Sequence, residues 1–248
     1  MCETCGCKPM ARSRAYEFIS AAFSYPDPDL VEFLQSRLPD LENRFLVLAD
    51  RPNLGALRAL RPAIMSYSPG ELESEYVRTF GHTISKEFPP YEAEYGQSHI
   101  FQKSQNLADI AGFYRAFGQE LAPDFNDRLD HIGVELEFMH VLCLKEAYAL
   151  AKGHPEEQLA VCREAQAKFL GEHLGQWAFG FVQKLETGTG STLYGLIGQL
   201  LMAFLTFEMR TFGLEPGEVG DPVIVEPSEE GMPDCEACPL VVPAAERG

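Results

Sequence analysis

The sequence predicts an all-α fold, a single helical-bundle domain of roughly nine helices with an irregular acidic C-terminal extension. Apolar residues recur every three or four positions along most of the 248-residue chain, which is the spacing of a buried helix face. No segment alternates as a half-buried strand would, and no repeat of roughly 20–50 residues is visible. We therefore expect a Cys-rich N-terminal segment over 1–10, a helical domain over 11–213 and a tail over 214–248.

The first half of the chain contains four predicted helices. Apolar stripes place the first over about 15–23, the second over 30–38 and a shorter third over 54–65. The fourth opens at Ser68, because Ser68 and Glu71 have the types and spacing of a capping box.

Five more helices are predicted in the second half. The first extends from about 103 to 117, and the longest from about 124 to 152. Two shorter helices follow over 155–169 and 177–185. The last is predicted over 191–212, with Ser191 as its cap and a glycine at its end. Because it is apolar on most sides, we expect it at the centre of the bundle.

The charge of the chain restricts its partners. The formal net charge is -17, and the tail over 214–248 alone holds nine acids and one base. Such a surface repels phosphate backbones and anionic lipids, so we expect neither nucleic acid nor membrane as a partner. No apolar run approaches the roughly 20 residues of a membrane span, and the N-terminus lacks a secretory h-region. We expect a cytoplasmic protein without membrane insertion.

Five of the seven cysteines lie near the two ends of the chain. Cys2, Cys5 and Cys7 open it, and Cys235 and Cys238 nearly close it. Thiolates two residues apart can bind one metal, and the two ends together could complete a tetrahedral sulfur site for zinc or an iron–sulfur cluster. The alternative is that these are reactive or incidental thiols.

Two acidic-histidine patterns on the longest predicted helix have chemical potential. Glu137 and His140 share a face in the manner of a di-iron ligand pair, although no second copy exists and a solvated polar stripe is the alternative. Asp130 and His131 precede Glu135, whose carboxylate could hold an imidazolium and raise the His131 pKa. Ordinary surface electrostatics is the alternative there. No nucleophile elbow or P-loop is present, so an enzyme is not predicted.

A proline-aromatic loop is the other candidate site. Pro89 and Pro90 stiffen the backbone beside Tyr91, Glu92 and Tyr95. Aromatic rings and carboxylates on a rigid segment could hold a peptide with both basic and apolar character. A solvated connector is the alternative.

Four segments in this order resemble the TorD/DmsD/NarJ family of chaperones for molybdenum enzymes. They are FSYP at 23–26, EYVRTFG at 75–81, PPYEAEY at 89–95 and DHIGVELEFM at 130–139. The resemblance spans roughly residues 15–213. The cysteines at the two ends depart from the family pattern.

The resemblance implies a cytoplasmic, non-enzymatic assembly factor. Such chaperones bind the apo catalytic subunit of a molybdopterin oxidoreductase, at its twin-arginine leader peptide or another part, until the cofactor is inserted. It implies no cofactor of the chaperone's own, and a monomer or a dimer. The client-binding residues that the resemblance implies are Pro89, Pro90, Tyr91, Glu92, Tyr95, Asp130 and His131. We add Glu135 to this set because it lies one helical turn after His131. A helical di-iron or iron–sulfur redox protein is the alternative function.

Overall fold

The computed structural model describes residues 7–48, 54–81, 87–95, 100–122 and 127–217. These ranges contain nine α-helices and no β-strand, which confirms the predicted all-α fold. The helices are α1 (Cys7–Phe23), α2 (Leu30–Phe45), α3 (Leu54–Ser66), α4 (Pro69–Phe80), α5 (Ile100–Ala116), α6 (Ile132–Lys152), α7 (Glu156–Phe169), α8 (Gly175–Thr189) and α9 (Leu193–Phe212). A π-helical turn, Leu170–Leu174, joins α7 to α8 without a break.

Helix ends follow the local sequence closely. The capping box at the start of α4 is present, with the backbone N–H of Ser68 donating to Glu71 Oε2 at 2.9 Å. At the start of α9 the cap is Thr192, one residue after the predicted Ser191, and its hydroxyl accepts from the N–H of Gly195. Gly213 ends α9 at φ +66°, a conformation that glycine adopts without strain.

Helix α6 is shorter than its sequence predicts. The prediction placed its start near residue 124, but residues 127–131 form a turn and a β-bridge, and α6 begins at Ile132. The cause is His131, whose ring nitrogen Nδ1 accepts from the N–H of Gly133 and caps the helix. Asp130 and His131 therefore precede the helix and do not lie on it.

The core lies between α1, α6, α8 and α9. Helix α1 packs along α6, and α9 contacts α1, α3, α4 and α8, which is the central position predicted for it. Rings from α1, α4 and α9 meet at Tyr194, which packs edge to face with Phe80 at a centroid distance of 4.9 Å and lies tilted to Phe23 at 6.4 Å. Offset aromatic contacts of this kind stabilise a core beyond the area that they bury.

A buried ion-pair network, here called the α1–α9 clamp, crosses this core. Arg12 Nε donates to Glu208 Oε1 at 2.7 Å, and the Tyr16 hydroxyl donates to Glu208 Oε2 at 2.9 Å. Arg12 also lies 3.6 Å from Glu146 Oε2, which accepts from the Gln166 amide at 3.0 Å. Both carboxylates thus face donors from the other helices, so the network ties α1, α6, α7 and α9 together.

Two further features bear on the predictions. No helix within the described ranges combines the length and apolarity that crossing a bilayer requires. Helix α1 begins at Cys7, four residues before the boundary predicted at residue 11.

Candidate functional site

The proline-aromatic loop pairs with the segment that precedes α6. Tyr91 and His131 form an isolated antiparallel β-bridge. On either side of it, the N–H of Glu92 donates to the Asp130 carbonyl at 3.0 Å, and the N–H of Ile132 donates to the Pro90 carbonyl at 2.9 Å. We call the paired ranges 89–95 and 127–135 the junction. Its backbone hydrogen bonds join the loop to the start of the longest helix.

Asp130 is fully buried and holds the junction through its carboxylate. Arg128 donates to it with two nitrogens, Nε at 2.9 Å and Nη2 at 2.7 Å. The N–H of Ala93 across the bridge donates to Asp130 Oδ2 at 3.0 Å. A two-pronged bond from arginine is the strong form of a carboxylate contact. The charge of Asp130 is therefore compensated inside the chain.

Arg128 extends the network toward the surface. Its third nitrogen, Nη1, donates to Glu94 Oε1 at 3.0 Å, and its guanidinium lies 4.5 Å from the centre of the Tyr91 ring. Burial alone would raise the pKa of Glu94, but hydrogen bonds from Arg128 and Lys103 lower it. Ionised side chains that bind one another through hydrogen bonds thus hold the loop side of the junction.

His131 is buried and neutral. Its Nδ1 accepts from the N–H of Gly133 at 3.1 Å, which assigns the ring proton to Nε2, 3.7 Å from Asp127 Oδ2. Burial lowers the pKa of His131, although Asp127 and Asp130 act in the opposite direction. The expectation that Glu135 would hold a charged His131 and raise its pKa is therefore wrong, because desolvation outweighs the nearby carboxylates.

Glu135 points instead toward α8. Its Oε2 accepts from the indole N–H of Trp177 at 3.1 Å, while the buried Oε1 accepts no hydrogen bond from an N–H or O–H of the described residues. Burial, and after it the charge of Glu92, raises the pKa of Glu135 well above its ordinary value. Desolvation and the neighbouring charge of Glu92 therefore favour the protonated, neutral form of Glu135.

Glu92 connects this acid pair to a histidine on the π-helical turn. Nδ1 of His173 lies 3.2 Å from Glu92 Oε1, and its Nε2 lies 3.2 Å from Asp109 Oδ2 on α5. Burial would lower the pKa of His173, but the two carboxylates raise it. The carboxylates near its two nitrogens thus favour the protonated ring, which can donate to both. A π-helical turn is a frequent feature of functional sites.

The structure thus brings all eight predicted binding residues together at the junction. The ring centre of Tyr95 lies 5.3 Å from that of Trp177, and Pro89 and Pro90 at the start of the loop are buried. Only Tyr91 is partly exposed, and its pKa is raised by burial and by its hydrogen bond to Asp127. Most of these side chains are buried and support the surface without forming part of it. Their role in client binding stays a prediction.

A cavity of about 280 Å³ opens beside the junction, between the end of α5 and the outer face of α6. Tyr114 and Phe138 supply aromatic surface, and Glu120 and Glu137 supply carboxylates. The Tyr114 hydroxyl donates to the Leu129 carbonyl at 2.9 Å, so one side chain belongs to both cavity and junction. An apolar cavity with two acids suits a side chain or helix that is both apolar and basic.

The predicted metal sites differ in how far the structure describes them. Within the described ranges, no three His, Cys, Asp or Glu side chains are grouped as metal ligands. Glu137 lines the cavity, whereas His140 Nδ1 lies 2.9 Å from Ser13 Oγ on α1, so these two do not converge. Cys2, Cys5, Cys235 and Cys238 lie outside the described residues, and Cys7 is disulfide-bonded. Cys143 and Cys162 are free and buried.

Sequence reasoning missed several residues that complete the junction. The partners of Asp130, Glu92 and Glu135 lie two to 81 positions away and are Arg128, His173 and Trp177. Asp109 in turn contacts the second ring nitrogen of His173. Arg128 alone had a local signal, because it lies two residues before Asp130. The others carry no motif in their own neighbourhood.

Similarity to known proteins covers most of the helical domain. A family model described as nitrate reductase delta subunit matches residues 49–183, which is more than half of the chain. The chlorate reductase assembly chaperone protein of Ideonella dechloratans is 32% identical over 200 residues, covering 78% of this chain and 87% of the relative.

Two further relatives carry similar names. The selenate reductase assembly chaperone protein of Thauera selenatis is 32% identical over 53% of this chain and 67% of the relative. The perchlorate reductase assembly chaperone protein of Dechloromonas aromatica is 25% identical over 68% and 75%. These relatives are named as chaperones, which confirms the prediction of a binding protein and not an enzyme. The chain belongs to the nitrate reductase delta subunit family, the TorD/DmsD/NarJ group of chaperones that its motifs resemble.

Proposed function

We propose that this protein is a cytoplasmic chaperone for the catalytic subunit of a molybdopterin oxidoreductase. It binds the apo subunit, through a leader peptide or through the subunit core, and releases it after cofactor insertion, before export or docking. The observation that supports this most is the 32% identity over 200 residues with a protein named for the assembly of one reductase. The chaperone requires no metal of its own for this role.

We propose that the client binds at the junction and the adjoining cavity. Asp130 is already paired with Arg128, so a client arginine must either replace Arg128 or bind to the exposed acids nearby. Glu137 on the exposed face of α6 and Glu120 at the cavity offer such acids. Arginine would pair with them, while the apolar part of the client packs on Tyr114 and Phe138.

The buried residues of the junction have a supporting role in this proposal. Asp130, His131 and Glu135 fix the start of α6. On the loop, Glu92 binds His173 of the π-helical turn. Tyr95 packs against Trp177 of α8. A rigid surface loses little conformational entropy when a client binds, which favours affinity. The complex then contains one client and a monomeric chaperone, with a dimer as the other stoichiometry to be tested.

The experiment is affinity capture of the client by the full-length protein in extracts of the source organism, with bound proteins identified by mass spectrometry. We expect the catalytic subunit of a molybdopterin oxidoreductase among them. The variant Glu137→Lys should lower its recovery about tenfold, equivalent to ~1.4 kcal/mol, because a cation replaces an acid at the cavity.

Glu164→Lys is the matched control, since Glu164 is also exposed and helical but lies on α7, away from the cavity. It should bind the client as the wild type does. If no oxidoreductase subunit is recovered although the organism expresses several, the proposed function is wrong. If Glu137→Lys and Glu164→Lys recover equal amounts, the cavity is not the contact.

A further inference from the structure

An apolar groove far from the junction lies between α6 and α7. Its volume is about 570 Å³. Two large apolar side chains of α6 that line it are exposed to solvent, Leu144 at 38% and Tyr148 at 57%. Single exposed apolar residues are ordinary, but a grouped set at a groove indicates a surface that something covers. Six of the residues that line it are Leu144, Lys145, Tyr148, His154, Gln158 and Cys162.

The charge of the groove is opposite to that of the protein. No carboxylate of the described residues lines it, whereas Lys145 does, and the Lys152 ammonium lies 5.7 Å from the Tyr148 ring centre. On the two helices that flank it, Glu146 and Glu156 pair with Arg163 at 2.8 and 2.9 Å. In a chain of net charge -17, a groove with a basic rim favours an acidic occupant that also has apolar side chains.

The chain itself carries a segment of that chemistry. Residues 218–248 lie outside the described ranges and contain eight acids and one base. Within them the apolar run Leu240-Val241-Val242 is flanked by Glu236 and Glu246. This segment, with apolar side chains between two acids, is therefore complementary to the apolar groove with Lys145 and Lys152 at its rim.

The length of chain after Gly217 favours residues 240–242 over the other apolar run of the tail, residues 223–225. The last described residue, Gly217, donates its N–H to the Gly175 carbonyl at 3.1 Å, and Gln158 lies about 25 Å back along the continuous α7–α8 helix. Leu214 lies beside Gly171, so the chain runs away from the groove as it reaches Gly217. Residues 223–225 could reach the groove only if the chain from Gly217 were fully extended. Leu240 is separated from Gly217 by about 75 Å of extended chain, which is more than enough to reach the groove.

We propose that Leu240-Val241-Val242 of the same chain docks in the α6–α7 groove, with Glu236 and Glu246 facing Lys145 and Lys152. Docking covers the exposed apolar side chains Leu144 and Tyr148 and neutralises the charge of the basic rim. The tail then shields a surface of the chaperone that is separate from the junction.

Zero-length carbodiimide coupling of the full-length protein tests the contact directly. The reagent joins a lysine ammonium to a carboxylate only when the two groups touch. We expect amide links from Lys145 or Lys152 to Glu236 or Glu246, found by peptide mass spectrometry. The Lys168–Glu172 pair, 3.7 Å apart on the surface, serves as an internal standard that should couple in every sample.

Variants separate apolar docking from charge alone. Replacing Leu240, Val241 and Val242 together by Asp should lower the tail links at least fivefold relative to the standard, and Tyr148→Asp should act alike. Met65→Asp is the control, because Met65 is 55% exposed on α3 and belongs to another surface. It should leave the links unchanged, and circular dichroism should show equal helicity for all four proteins.

Three outcomes would overturn the proposal. One is a sample in which the standard couples but Lys145 and Lys152 form no link to the tail. Another is equal linking in the Leu240-Val241-Val242 variant. The third appears when ¹⁵N-labelled and unlabelled chains are mixed before coupling, since linked peptides of mixed label would mean that a second copy supplies the tail.

Discussion

The junction and the α1–α9 clamp are both buried polar networks, but they differ in how their charges are compensated. In the clamp, Glu208 receives donors from Arg12 and Tyr16 on both of its oxygens. In the junction, Glu135 has one buried oxygen without a donor from the described residues and keeps a proton beside Glu92.

This difference separates a structural network from a responsive one. In a network whose acceptors all have donors, removing one partner leaves an uncompensated charge in the low-dielectric interior. A network with surplus carboxylates holds protons that can leave, and it lies here beside the acidic cavity at α6. We expect the clamp to determine stability and the junction to respond to pH and to a client.

Breaking the clamp should produce the largest effect. Glu208→Ala leaves the Arg12 guanidinium buried without its main partner, so the free energy of unfolding should fall by about 3–5 kcal/mol. Urea unfolding followed by circular dichroism measures it. Glu42→Ala removes exposed pairs with Arg58 and Arg61 and should cost no more than about 1 kcal/mol. Equal losses in the two variants would show that the clamp is not what holds α1 to α9.

Removing the central carboxylate of the junction should have an intermediate effect. Asp130→Ala leaves the N–H of buried Ala93 without an acceptor and Arg128 without its closest partner, so we expect a loss of about 2–3 kcal/mol. Asp130→Asn keeps an oxygen for the Ala93 N–H and should lose roughly half as much. If Asn and Ala were equally unstable, the charge and not the backbone bond would be what holds the loop.

Changing the neutral acid should have an effect that is small near pH 5 and grows as the pH rises. The folded-state pKa of Glu135 is raised, so its stability contribution is complete below the unfolded-state pKa of about 4.3 and is lost as the pH rises through the folded-state value. Glu135→Gln resembles the protonated acid and cannot ionise. Its stability relative to the wild type should therefore rise by up to about 1.4 kcal/mol per pH unit above pH 5. Urea titrations at pH 5, 6 and 7 measure the difference, and a constant difference would mean that Glu135 is ionised when folded.

The sequence by itself determined the helices and the chemistry available at the site. Apolar periodicity, the Ser68–Glu71 box and Gly213 are local signals, because a helix is built from contacts three or four residues apart. For the same reason the sequence identified the loop at 89–95 and the acids at 130–135 as segments of interest. It placed the start of α6 too early, since the capping role of the His131 ring competes with helix periodicity.

Only the tertiary structure decided what those residues touch and whether they are charged. Ala93 and Asp130 are 37 positions apart, Glu135 and Trp177 are 42 apart, and Glu92 and His173 are 81 apart. A pKa depends on burial and on neighbours in space, and neither is encoded at the spacing of a motif. That is why the expected charged His131 is neutral, why Glu135 keeps its proton, and why the predicted binding residues lie mostly beneath the surface that they shape.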